Sequence, residues 1–559
     1  MRYDFWNNPL VVSAVRLRYR RSSPGMTAAL YLTVLLCVGA GLSYYQDHYA
    51  FPFPVMYLVV ILGVQFVLSA ALAMTTVATS INGEVIQRTL DFQRIVSLPP
   101  REILLGKMLG EPASSYLLSM ATLPLAVLCW HWGAASLVTI GLLYVNLVTA
   151  TLMCAAIGLL HPLVPPSDKS ATNAKGSGSA AQVLVAMAFF FGLQAMIVQG
   201  RAILENSLAG ALLGAFTPVA AMWGLLEGSA WQATVPFWSV HLPSLLVAPV
   251  LQLAVTACIV TGMSRKLSNP LNPPLTKPLV YALTASIDLF AAGLLYSSWK
   301  EGLGFSRATA AFFAAHLVTA LLLASLVTPS REVLMTWLWR LRGRAGMLRD
   351  GVWLDRSPNL LVLVVLAVIG PLVYFVGFVA PVVAAGSVQL DGGPPRDIVP
   401  PLATATVLLL SLGTLLQCVA ALVRRGATLA FICLLVVLFC APPMAAGLIE
   451  TMQPLADVAQ RTSLVELIVG LTPPVHFVGW IAAVEHVPLL RLDALARTLP
   501  AMLACYAALF VFCVFILSRW LAERRAVVAG KLAHMNVSGR PNDASKTSAR
   551  ATATEPTGA

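Results

Sequence analysis

The chain has 559 residues, of which 58% are apolar and only 11% charged, where an ordinary globular protein is about a quarter charged. With a mean hydropathy of +0.81, this excludes a soluble enzyme of usual composition. Lys and Arg number 36 against 24 Asp and Glu, a formal charge of +12, which in such a chain reads as the positive-inside bias of a membrane protein and calls for no nucleic acid.

A bilayer core needs about 20 apolar residues of helix, and runs of that length recur from end to end. A cytoplasmic interfacial arm, 1–25, comes first. Within it Arg16, Arg18, Arg20 and Arg21 alternate with Val15, Leu17 and Tyr19, as in a helix lying against anionic headgroups. The first apolar run follows a basic segment, but it exceeds the usual ~7–15 apolar residues of a signal peptide and its leader is long. It reads as an uncleaved span.

Expected spans fall at about 26–45, 54–79, 113–131, 135–160, 183–199 and 243–262, then at 279–298, 308–328, 360–385, 402–423, 427–449 and 499–520. The expected fold is an all-α polytopic membrane protein of about 12 transmembrane helices in two parallel six-helix halves, 26–267 and 268–521, with a basic cytoplasmic tail at 522–559 that reads as disordered from about Met535. With the N-terminus inside, 29 of the 36 Lys and Arg lie in cytoplasmic segments. That asymmetry supports the span count and puts both termini in the cytoplasm. The polar stretch 165–181 has the composition of a linker. All nine cysteines sit in apolar runs and read as small buried hydrophobes, with no disulfide framework or zinc spacing implied.

The two halves resemble one another at nearly fixed offsets. Thr217 and Pro218 match Thr472 and Pro473, Gly224 falls on Gly479, and Ser264 and Arg265 match Ser518 and Arg519. Earlier in each half, Glu84 and Val85 match Glu332 and Val333, with Leu90 on Leu338 and Arg94 on Arg342. An even number of spans per half returns the chain to the same side, so an axis along the membrane normal would relate them.

No phosphate-binding loop, dinucleotide fingerprint or HExxH is present, so ATP hydrolysis by that route would need a partner chain. The most informative segment is the cytoplasmic loop 80–112. It carries Glu84, Arg88 and Asp91 at helical spacing, breaks at Pro99 and Pro100, and restarts with Arg101 and Glu102. The expectation is a short amphipathic helix, a forced turn and a second helix, with Ile95, Val96, Leu98, Ile103, Leu104 and Leu105 available to a soluble partner.

At these residues the chain resembles the ABC type-2 permeases, the membrane subunits of ATP-driven exporters. Their pattern is a Glu, a Thr-Leu pair, Leu-x-x-Pro, and Leu-x-Gly-Lys before the third span. This chain supplies Glu84, Thr89, Leu90, Leu98, Pro99, Leu105, Gly106 and Lys107, with Arg88 where a Gly is common. The resemblance covers roughly residues 1–267. It implies an exporter in the inner (cytoplasmic) membrane and a separate ATPase subunit, holding ATP and Mg, that docks on 80–112. It also implies short, partly buried outer helices before the last span of each half, where 202–226 and 466–484 fit. The chain itself would be no enzyme and hold no cofactor, and would work as a homodimer or a single-chain pseudo-dimer. The second-half loop, 329–359, has Glu332, Arg340 and Arg342 but lacks the Pro-Pro and Gly-Lys.

Within the membrane, Asp288 lies mid-span in the seventh helix, where an ionised carboxylate costs about 2.5–3.5 kcal/mol. His316, at comparable depth in the eighth, is its expected partner. The pair serves either helix packing or substrate and proton handling, and the latter would suit a proton-coupled secondary transporter. A membrane-embedded enzyme or assembly factor is the remaining alternative, though no converging carboxylates or metal ligands accompany it.

Overall fold

The computed structural model describes residues 11–16, 24–46, 52–87, 89, 99–163, 216–231, 234–238, 240–269, 272–300, 304–341, 351–385, 394–423, 430–431, 433–439, 442, 444, 467–482 and 492–538. The first half runs α1 (Pro24–Tyr44), α2 (Phe53–Gln87), α3 (Pro100–Gly110), α4 (Ala113–Ala121), α5 (Leu123–His131), α6 (Leu137–Leu163) and α7 (Val219–Leu226). A hairpin, β1 (Thr234–Phe237) and β2 (Val240–Pro243), leads into α8 (Ser244–Ser268). The second half follows as α9 (Lys277–Lys300), α10 (Phe305–Val327), α11 (Arg331–Leu341) and α12 (Leu360–Tyr374). A π turn (Phe375–Val379), α13 (Ala380–Ala384), α14 (Pro394–Leu422), α15 (Pro473–Ala482) and α16 (Leu492–Ser538) complete it.

Ten helical segments among the described residues are long and apolar enough to cross a membrane. This is a multi-pass α-helical membrane protein. The ten coincide with expected spans. The expected span at 183–199 lies outside the described residues, as do the linker 165–181 and much of 427–449. The third span crosses as two helices, α4 and α5. Pro124 has no N–H for the carbonyl four residues earlier, and at the break the Thr122 hydroxyl donates to the Ser119 carbonyl at 2.8 Å.

Two helices run further than apolar length alone implies. α2 continues to Gln87, so Glu84 stands on its last turns and does not open a separate amphipathic helix. Extending an existing helix needs no new nucleus, and this favours continuity through the polar residues. α16 likewise continues to Ser538, so the start of the basic tail is helical, as are 535–538 at the beginning of the stretch expected to be disordered; 539–559 lies outside the described residues.

The same packing order occurs twice. In the first half α6 lies between α2 and α8, α1 packs on α2 and α4, α3 sits against α8 and α6, and α7 caps α2 and α8. In the second half α14 lies between α10 and α16, α9 packs on α10 and α12, α11 sits against α16 and α14, and α15 caps α10 and α16. Close approach helps set the first of these. A Cβ at Gly158 of α6 would lie 2.6 Å from the Met74 carbonyl oxygen of α2, so only glycine fits there.

The hairpin joins the halves. Phe237 pairs with Val240 across its turn, where Trp238 adopts φ 50, a left-handed conformation costly for a large side chain. Three hydrogen bonds hold it. Its backbone N–H donates to the Gly293 carbonyl of α9 at 2.9 Å, and its indole N–H to the Gly377 carbonyl in the π turn at 3.0 Å. The Ser297 hydroxyl donates to its own carbonyl.

Candidate functional site

The elbow after α2 is built by spacing. Ser80 and Glu84 are four apart on α2, and Lys107 and Glu111 are four apart at the end of α3, so each pair shares one helix face. The helices run antiparallel, so the pairs match in reverse order. Lys107 Nζ meets Glu84 Oε1 at 2.6 Å, and the Ser80 hydroxyl donates to Glu111 Oε1 at 2.7 Å. Lys107 is only 5% exposed and Glu84 22%. A charge-assisted contact so shielded is stronger than a surface ion pair. Pro99, extended at φ −60 and ψ 137, stands at the N-cap of α3 and Pro100 takes its first position, where a missing N–H costs nothing.

The inner face of α3 differs from expectation. Ile103, Leu104 and Met108 are buried in one cluster with Val77 and Ile81 of α2, Ala155 and Leu159 of α6, and Met263 and Leu267 of α8. Ile103 and Leu104 are therefore not available to a partner, because the 3.6-residue period turns them inward together with Gly106 and Lys107. The outward side of α3 carries Arg101, with Glu102 and Leu105 half-buried. Thr89 is exposed, and its hydroxyl lies 3.4 Å from the Glu84 carbonyl. Arg88, Leu90, Ile95, Val96, Leu98 and Arg342 lie outside the described residues.

In the second half, Glu332 and Arg340 are both exposed on α11. Glu332 stands in the first turn of a new helix after Pro329, whereas Glu84 ends a continuing one. The likeness at that offset is therefore not a structural equivalence: by packing, α11 corresponds to α3. Its Trp337 and Leu338 are buried beside Leu521 of α16.

Asp288 and His316 come together as expected. Asp288 Oδ2 lies 2.8 Å from His316 Nδ1, and both residues are almost fully buried. α9 and α10 are sequential antiparallel neighbours, so residues at the middle of each fall at the same depth. The other ring nitrogen, Nε2, is buried without a hydrogen-bond partner.

Sequence reasoning missed the junction between the halves. Lys277, at the start of α9, is completely buried. Its Nζ donates to the Gly351 carbonyl at 2.6 Å and the Ser357 hydroxyl at 2.7 Å. Asp355 accepts from the Lys277 backbone N–H at 3.0 Å and from Arg265 Nη2 of α8 at 2.8 Å. The ends of α8 and α9 and the segment before α12 are thereby tied at one point. In sequence Lys277 looked like one more positive-inside charge; the only signal was that it stands at the edge of an apolar run. Two amide networks inside the first half were also missed. Gln65 bridges Tyr31, Ser69 and Ser119, each at 2.8 Å, and Gln252 joins Asn146 to the Phe216 carbonyl, both at 2.9 Å.

No known family, no curated protein and no solved structure matches the chain.

Proposed function

We propose that the chain is the membrane-spanning permease subunit of an ABC-type exporter of the inner (cytoplasmic) membrane, energised by a separate ATP-binding subunit docking on the 80–112 loop. One observation carries this reading. α3 is strapped to α2 through Lys107–Glu84 and Glu111–Ser80 while its apolar face packs on α6 and α8. A push on the outward side of α3 therefore reaches three spans without being absorbed by slack, which is what a coupling helix must do. ATP and Mg belong to the partner. The recurring packing order favours a duplicated six-span unit acting as a single-chain pseudo-dimer, and the 29-to-7 division of Lys and Arg favours cytoplasmic termini.

The test is replacement of Leu98, Pro99 and Pro100 by Gly-Ser-Gly, which frees the start of α3 and leaves the membrane helices untouched. The variant is expected to insert normally while the partner's ATPase activity stops responding to the permease. Full coupling after that replacement would reject the lever, and transport with no ATPase present would reject the class.

A further inference from the structure

The buried Asp288–His316 pair faces a weakened segment of helix. A Cβ at Gly370 of α12 would fall within the imidazole of His316, so the unpartnered Nε2 lies directly against the α12 backbone. Pro371 follows Gly370 inside the helix. Proline has no N–H, so the carbonyl of Ala367, four residues earlier, loses its helical donor. Four residues after Pro371 the helix loosens again into the π turn Phe375–Val379. Among the spans around the pair, the one touching the free ring nitrogen thus holds two adjacent interruptions of its hydrogen-bond ladder, and such interruptions are where helices bend.

Proton counting adds the second part. With Asp288 ionised and His316 neutral, Nδ1–H donates to the carboxylate, Nε2 carries only a lone pair, and the buried pair has a net charge of −1. One added proton makes the pair neutral. That proton enters at Nε2, the only ring position open to it. The product is imidazolium–carboxylate, or imidazole–carboxylic acid after a shift along the 2.8 Å contact. In both forms Nε2 bears hydrogen. Loading therefore converts the atom facing α12 from acceptor to donor, within a turn of a carbonyl that lacks one.

We propose that Asp288 and His316 form a one-proton binding site, and that its loading is linked to bending of α12 at Gly370–Pro371. This does not depend on an ATPase partner and adds a proton dependence to whatever cycle the permease performs.

Other ionisable residues on the helix and its packed neighbours are accounted for by name. α10 itself carries Arg307, and α9 carries Tyr281 and Tyr296 with Lys277 and Lys300 at its ends. α12 carries Tyr374, α14 has Arg396, Asp397 and Cys418, and α15 has His476. The Tyr374 hydroxyl pairs with Thr309 at 2.7 Å, and His476 Nε2 with the Gly470 carbonyl at 2.7 Å. Among the described residues none of these hydrogen-bonds to Asp288 or His316.

The experiment uses the full chain in phosphatidylcholine vesicles, with protons as the only ligand varied. Infrared difference spectra across a pH titration follow the carboxyl and imidazole bands. In a cysteine-free background, spin labels at Val364→Cys and Val383→Cys, both exposed, report the distance across the bend. The expected result is uptake of one proton that is absent from the variants of the pair, with the label distance changing over the same pH interval. In Asp288→Asn and in His316→Gln both responses are lost. A wild-type distance that does not move over the titration overturns the proposal without any variant of the pair. An unchanged pH response in Asp288→Asn or in His316→Gln overturns it equally.

Discussion

Replacing Lys107 by Met removes the ammonium that meets Glu84 while keeping most of the volume of an almost fully buried side chain. Exposed ion pairs contribute about 0.2–1 kcal/mol, and breaking a fully buried pair costs about 3–5 kcal/mol. With one partner 5% and the other 22% exposed, the expected loss lies between, at about 2 kcal/mol. That corresponds to a roughly 30-fold change in the local opening equilibrium of α3. Hydrogen exchange reads it directly, since amides protected by a local unit report its opening free energy. The amides of Lys107 through Gly110 should lose about 30-fold in protection, while those in the middle of α6 keep theirs. The Ser80–Glu111 strap and the buried Ile103, Leu104 and Met108 remain, so α3 should weaken but not detach. Glu84→Gln combined with Lys107→Met should recover part of the loss, because the carboxylate that Lys107 met is then no longer charged. A fall of less than about threefold in Lys107→Met, or a double variant no better than the single, would refute the claim that this pair fixes α3 to α2.

Further outcomes follow from the same physics. Labelling from outside should reach cysteines at Arg307 and Arg396 but not at Arg344 or Lys107; reaction of position 344 in intact cells would reverse the orientation drawn from the charge division. Lys277→Met should lower stability by about 1–3 kcal/mol, since buried carbonyl and hydroxyl groups lose their donor, and a thermal unfolding midpoint equal to wild type would contradict the junction described at Gly351 and Ser357. Gly370→Ala should cost about 1–3 kcal/mol through overpacking against His316, with His316→Ala in the same chain restoring stability by making room.

Much of this protein is legible in one dimension because membrane insertion depends on local, nearly additive quantities. Apolar length located ten spans that the fold contains, and the orientation proposed for them rests on the distribution of Lys and Arg without reference to packing. Asp288 and His316 were matched in advance for a related reason. Consecutive antiparallel helices of similar length put their midpoints at one depth, and two costly polar residues there have few other partners. The elbow was legible as two helical pieces parted by prolines, but not in its orientation. Whether Ile103 and Leu104 faced a partner or the core depended on how α3 rotates against α2, α6 and α8, and Lys107 reads the same in sequence whether it is exposed or clamped by Glu84. The matched offsets of Glu84 and Glu332 misled for the same reason, since Pro329 breaks the chain where α2 continues. Lys277 with Gly351 and Ser357, Trp238 with Gly377, and His316 with Gly370 are contacts between residues 50 to 140 positions apart. Such contacts exist only after the helices have packed. The sequence by itself determined which segments enter the membrane, because each pays its own transfer free energy, whereas tertiary structure alone decided which polar groups inside it are satisfied, because a partner from another helix must arrive at hydrogen-bond distance.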